Sequence, residues 1–115
     1  MKKLIIILFL TSTLSLMSQW ESCNNGISGG DIYCLINDGS FIYAGTNGGG
    51  IYKSSDNGKN WKRANTGLKN MIVNALYLYN NNIFAATSNG IFRSSDKGES
   101  WDSSSSGLIN KNILS

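Results

Sequence analysis

The sequence predicts an all-β fold built from four-stranded antiparallel sheets, and three observations predict it. The first is an eight-residue segment that occurs twice in phase: SSDNGKNW at residues 54–61 and SSDKGESW at residues 94–101. Ser, Asp, Gly and Trp recur at the same offsets while the residues between them drift. The second is the spacing of the tryptophans. Trp20, Trp61 and Trp101 lie 41 and 40 residues apart, which sets a repeat near 40 residues. The third is texture. Short runs rich in Ile, Tyr and Phe are separated by Gly, Asn, Asp and Ser, and no stretch carries a helical period of useful length. Four short antiparallel strands in about 40 residues are the size of one blade of a β-propeller.

The strands follow in order. DIYCLI, FIYAGT and GIYKSS supply three in the first full unit, and VNALYLY, IFAAT and GIFRSS supply their counterparts in the second. A fourth short strand begins at each Trp, in NWKRA and SWDSS. Gly26-Ile27, Gly67-Leu68 and Gly107-Leu108 coincide when the units are laid over one another. Pro is absent, so the turns depend on Gly, Asn and Asp, which tolerate positive φ. The serine run at residues 103–106 falls in register with RANT and reads as the end of a polar outer strand.

The repeated segment has a structural explanation. The chain must reverse between its third and fourth strands. The Asp56 carboxylate can accept bonds from nearby backbone N–H groups and close an Asx-type turn. Gly58 takes a positive φ, the Ser54 hydroxyl joins the same network, and the Trp61 ring covers the hairpin. Ser94, Asp96, Gly98 and Trp101 repeat the arrangement.

The S-x-D-x-G-x-x-W pattern, matched at all four positions in both copies, resembles the Asp-box, or bacterial neuraminidase repeat. That repeat occurs in sialidase-like propellers, sortilin-type receptors, xyloglucanase-like glycoside hydrolases and photosystem II assembly factors. The resemblance covers nearly all the chain after its leader. It implies that the boxes are structural hairpins on the propeller face away from the binding or active site.

The first residues read as a secretory signal peptide. A basic start at Lys2 and Lys3, an apolar run at residues 4–10 and a small polar stretch form the expected three parts. The run is too short to span a bilayer, which takes about 20 apolar residues. The predicted division is therefore a signal peptide at 1–18 and propeller blades at 19–115, in units 19–61, 62–101 and the start of a third at 102–115. The product is expected in a secreted, periplasmic or cell-surface location in a bacterium. Ten Lys and Arg face seven Asp and Glu. Two of the ten stand in the leader, so the rest is near neutral and gives no support for nucleic-acid binding. An exported chain permits a disulfide between Cys23 and Cys34, but their spacing fixes no geometry.

Catalytic devices are scarce. With no His, neither a Ser-His-Asp nor a Cys-His pair can be built, no metal set is completed, and no cofactor is expected. The resembled sialidases clamp a substrate carboxylate with three arginines; this chain has Arg63 and Arg93, both expected beside the box hairpins, at the wrong end of a blade. Glycoside hydrolysis needs two carboxylates across the bond. Asp56 and Asp96 are committed to turns, and Asp38 sits in the turn NDGS. Asp31, in GISGGD, lies in the kind of loop that faces the functional side, and its counterpart in the next unit is Ile72. Asn47, in the Gly-rich GTNGGG, and Asn70 belong to loops on the same face. Asp31, Asn47 and Asn70 are the candidate binding residues, with turn formation as the plain reading of each Asn.

The expected function is a non-catalytic module that binds a protein or glycan. The alternative is the leading blades of a sialidase-like or xyloglucanase-like hydrolase whose catalytic residues lie downstream. The expected partners include the remaining blades of a longer chain, since two and a third blades cannot close a ring. The strand at Trp20 is expected to latch such a ring as the outer strand of its last blade.

Overall fold

The computed structural model describes residues 21–108 and 111–114. The leader and Trp20 lie outside the described residues. The described chain folds as two antiparallel four-stranded sheets, with no helix among the described residues. The first sheet runs β1 (Ile32–Asn37), β2 (Ile42–Thr46), β3 (Ile51–Ser54) and β4 (Lys62–Arg63). The second runs β5 (Val73–Tyr79), β6 (Asn82–Thr87), β7 (Gly90–Ser94) and β8 (Asp102–Ser103). In each sheet the spatial order is the chain order. This is the all-β blade architecture of a propeller.

The two sheets repeat in detail. Both innermost pairs carry a register irregularity at the same place, between Ile32 and Cys34 and between Val73 and Ala75. The extra residue re-aims the strand entrance in each case. The strands stay short because each is closed by local chemistry. Asn37 Oδ1 accepts the Gly39 N–H at 2.8 Å, and Asp38 Oδ1 accepts the N–H groups of Ser40 and Phe41 at 2.9 and 2.7 Å.

The core lies between the sheets. Val73, Leu76, Ile83, Ala85 and Phe92 from the second sheet bury against Tyr43 and Ile51 of the first. β5 stands beside β1 and β2. Gly45 is a close approach: a Cβ there would press on Cys34 Sγ and Val73 Cγ1. A smaller cluster, Ala44, Tyr52 and Trp61, faces the other way and is covered by Ile27 and Ile42.

The repeated segments build the hairpins expected of them. Ser54 Oγ donates to Asp56 Oδ1 at 2.8 Å and accepts the Gly58 N–H at 2.8 Å. Asp56 accepts the Asn60 backbone N–H and side-chain amide, both at 2.8 Å. Ser94, Asp96 and Gly98 repeat these bonds, with Ser100 in the place of Asn60. Asn57 and Lys97 join the glycines in the left-handed region, with φ of 59° and 58°. A lysine adopts that conformation rarely, and the serine and aspartate bonds on either side hold it there.

These bonds predict an acid-sensitive fold. The side chain and then the backbone N–H of Asn60 hold the Asp56 carboxyl down to about 2. Ser100 does the same for Asp96, also to about 2. A carboxyl depressed in the folded state stabilises it above the ordinary pKa of about 4, and that contribution is lost as pH falls through the folded value. The melting temperature is expected to fall as pH drops from about 4 towards 2. Asp56→Asn and Asp96→Asn should flatten that fall, and a pH profile unchanged in the double variant would contradict the assignment.

Candidate functional site

Alternation of strand direction divides each blade into two ends. The two Ser-Asp-Gly-Trp hairpins and the Asp38 turn lie at one end. At that end the Tyr43 hydroxyl stands 3.1 Å from both Asp38 Oδ2 and the Lys97 carbonyl, which ties a turn of the first sheet to the box of the second. Burial raises the Tyr43 pKa, and the neighbouring Asp38 charge raises it further. Burial also pushes the Asp38 carboxyl up, but bonds from Phe41, Ser40 and Tyr43, with the Lys97 charge, hold it below the usual range. A charged Asp38 accepting a neutral Tyr43 hydroxyl is a structural lock.

The opposite end carries the loops. The Asn47 N–H donates to the Asp31 carbonyl at 2.8 Å, and Ser88 repeats this bond on Ile72, the counterpart of Asp31, at 3.1 Å. Asn47 also bridges to Ile72, which joins the two sheets at this end. Asp31 and Asn47 are therefore neighbours through their backbones. Asn70 closes a local turn: its Oδ1 accepts the Ile72 N–H at 3.0 Å. The structure places all three candidate residues at the end away from the boxes and makes no side-chain bond between them among the described residues.

At this loop end runs an open groove of about 500 Å³, lined by Gly29, Gly48, Gly49, Arg63, Asn65, Thr66 and Met71. Its floor is backbone. Gly48 and Gly50 both donate to the Met71 carbonyl at 2.9 Å. Asn65 is fixed by accepting the Ile51 N–H at 2.7 Å and donating to Gly49 at 3.2 Å.

Arg63 stands beside its hairpin and also reaches beyond it. The sequence places it at the box end, beside its hairpin. In the structure β4 carries the chain away from the hairpin, and the guanidinium reaches Ser28 Oγ at 3.3 Å, on the segment leading to the loops. It lines the loop-end groove as well as a larger, box-side groove of about 760 Å³ shared with Lys53, Asp56 and Glu99. The cause is length: a strand of two residues is shorter than an arginine side chain. Asn65 was also missed, because RANT reads as polar strand with nothing to single out one amide. Both cysteines are free, Cys23 exposed and Cys34 half-buried.

The groove offers one guanidinium, one fixed amide and a thioether over a glycine-rich backbone floor. It holds no pair of facing carboxylates among the described residues. Asp38, Asp56, Asp96 and Glu99 gather at the other end. The arrangement suits holding a polar ligand by hydrogen bonds.

Comparison with known proteins agrees with the architecture. Residues 7–113 match the DUF6242 beta propeller domain. No curated protein matches the chain. Among solved structures, an ancestral GH74 enzyme is similar, with a TM-score of 0.58 and 30% sequence identity over 73% of this chain. The chain spans 11% of that enzyme's length.

Proposed function

Because the chain belongs to the family of the DUF6242 beta propeller domain, we propose that it is a non-catalytic, Asp-box propeller module of an exported protein that binds a protein or glycan at its loop end. The observation that carries this reading is the loop-end groove, where Arg63 and Asn65 line a glycine-rich backbone floor. A glycine floor without side chains leaves room for a sugar ring or an extended peptide, and a guanidinium gives it polar anchorage. Asp31, Asn47 and Asn70 border this end and complete the candidate surface. The remaining blades of a longer chain supply the rest of the ring, with the strand at Trp20 as its latch.

A second reading has one observation in its favour. The 30% identity to a GH74 enzyme supports a role as the leading blades of a xyloglucanase-like hydrolase, with the catalytic carboxylates on later blades. The two readings separate on one preparation. The purified chain is titrated by calorimetry against a panel of plant and bacterial oligosaccharides and extended peptides, and the full-length product is assayed for release of reducing sugar. Binding that weakens about tenfold or more in Arg63→Ala, which is a change of about 1.4 kcal/mol, together with no sugar release, is the expected result. Sugar release by the full-length product establishes the hydrolase reading. Binding indifferent to Arg63 removes the groove from the argument.

A further inference from the structure

Four Asn-Gly pairs occur in the chain, at residues 25–26, 47–48, 57–58 and 89–90. In such a pair the backbone nitrogen of the glycine can attack the asparagine side-chain carbonyl and close a cyclic imide, and the glycine puts no side chain in the way. The attack requires that the glycine N–H be released from any bond it makes. The fold therefore decides which pair can react, and it engages three of the four nitrogens.

The Gly48 N–H donates to the Met71 carbonyl at 2.9 Å. The Gly58 N–H donates to Ser54 Oγ at 2.8 Å, inside the first box. The Gly90 N–H donates to the Lys111 carbonyl. Gly58 and Gly90 are also buried. The Gly26 N–H has no hydrogen-bond partner among the described residues, and both Asn25 and Gly26 are exposed.

The unbonded nitrogen is a property of the repeat. Gly26, Gly67 and Gly107 take φ of 97°, 83° and 92°, and the residues before them stay out of the positive-φ region. Each turn is closed by the residue after the glycine: Ile27 donates to Asn24, Leu68 to Asn65 and Leu108 to Ser105, at 3.0, 2.9 and 3.0 Å. This is the type II turn, with glycine in its third place, where the N–H takes no part in the turn bond. The second place holds Asn25, Thr66 and Ser106 in the three turns. Only the first of these carries an amide.

The surroundings of this turn leave no slack for an extra main-chain atom. The Asn25 carbonyl accepts the Trp61 N–H at 2.9 Å, and the Cys23 carbonyl accepts the Trp61 indole N–H at 2.6 Å. A Cβ on Gly26 would clash with the Trp61 carbonyl oxygen. Asn25 Nδ2 donates to Asn60 Oδ1 at 2.5 Å. The residues that follow carry other contacts. Ile27 covers the cluster of Ala44, Tyr52 and Trp61, and Ser28 Oγ accepts the Arg63 guanidinium at 3.3 Å.

We propose that Asn25 is a site of spontaneous deamidation in the folded protein, and that its isoaspartyl product releases residues 23–26 from Trp61. The Gly26 nitrogen forms a bond to Asn25 Cγ, the Cγ–Nδ2 bond breaks, and ammonia leaves with the Gly26 amide proton. Water then opens the imide at either carbonyl. One opening gives aspartate. The other gives isoaspartate, in which the main chain runs through the former side-chain carbon. Water is the only co-reactant and no electrons are exchanged. Both products lose the amide donor to Asn60. Only isoaspartate lengthens the main chain, and so only isoaspartate moves Gly26 off Trp61.

The test ages the 115-residue chain at mildly alkaline pH, folded and in concentrated guanidinium, and follows each pair by peptide mass spectrometry. Asn25 and Asn89 are the matched comparison, because Gly and then Ile follow both. Unfolded, the two are expected to convert at similar rates. Folded, Asn25 is expected to lead Asn47, Asn57 and Asn89 by about fivefold or more, the factor for first opening a bond worth about 1 kcal/mol. The isoaspartyl form, isolated by ion exchange, is expected to show faster amide exchange at Trp61 than Asn25→Asp, which has the charge without the extra main-chain carbon. A ratio of Asn25 to Asn89 no higher in the folded chain than in the unfolded one, or earlier conversion of Asn47 or Asn57, would overturn the site. Equal exchange at Trp61 in the isoaspartyl form and in Asn25→Asp would overturn the release.

Discussion

Replacing Trp101 with Ala is expected to cost about 3–5 kcal/mol, the range for deleting a large buried aromatic side chain. The ring is 2% exposed and belongs to the core shared by both sheets. Its indole N–H donates to the Ala64 carbonyl at 2.7 Å, so truncation also leaves that carbonyl buried without its partner, which costs roughly 1–3 kcal/mol in its own right. Against a typical total of about 5–15 kcal/mol, that is enough to leave the second sheet poorly attached. Trp101→Phe keeps most of the apolar burial and loses only the indole bond, so it should fall between wild type and Trp101→Ala. Trp61 is 8% exposed and sits in the smaller cluster with Ala44 and Tyr52, so Trp61→Ala should cost less. Urea unfolding of the four proteins checks the order. A Trp101→Ala loss no larger than that of Trp61→Ala would mean that the core between the blades is not where the stability lies.

That core was only partly legible in the sequence, and the reason is distance along the chain. The hairpin chemistry of Ser54, Asp56, Gly58 and Trp61 was readable because its hydrogen bonds close within eight residues, where spacing alone decides what can meet. Even there one participant escaped. Asn60 and Ser100 donate side-chain bonds to their aspartates, but they differ in type and so leave no mark in the repeat. Gly26, Gly67 and Gly107 were visible as a repeated pattern without a cause, since the cause at Gly67 is the backbone of a residue 34 positions later. The lock between Tyr43, Asp38 and Lys97 crosses from one sheet to the other, and nothing in spacing announces it. At the loop end the neighbourhood of Asp31 and Asn47 followed from strand alternation. The reach of Arg63 to the loop end did not, because it depends on how far a long side chain extends from a two-residue strand.

Gly67→Val gives the second large expected effect, and its logic differs from that of Trp101→Ala because nothing is removed. At φ of 83°, a β-branched residue pays roughly 1–2 kcal/mol for left-handed backbone. Its Cβ would also clash with the Trp101 carbonyl oxygen. The two segments cannot separate without giving up the Trp101 N–H bond to Thr66 and the indole bond to Ala64, each worth roughly 0.5–1.5 kcal/mol. Gly39→Val is the matched comparison. Gly39 has φ of 94° and nothing within 4 Å of its Cβ position, so it carries the backbone cost without the collision. The expected result is a loss at Gly67 that exceeds the loss at Gly39 by about the value of the two bonds, with faster amide exchange at Trp101 in the Gly67 variant alone. Equal losses at the two positions would show that the glycine is kept for its φ. In that case the contact between the Trp and the preceding unit would not hold one blade to the next, and the repeat would need another source of cohesion.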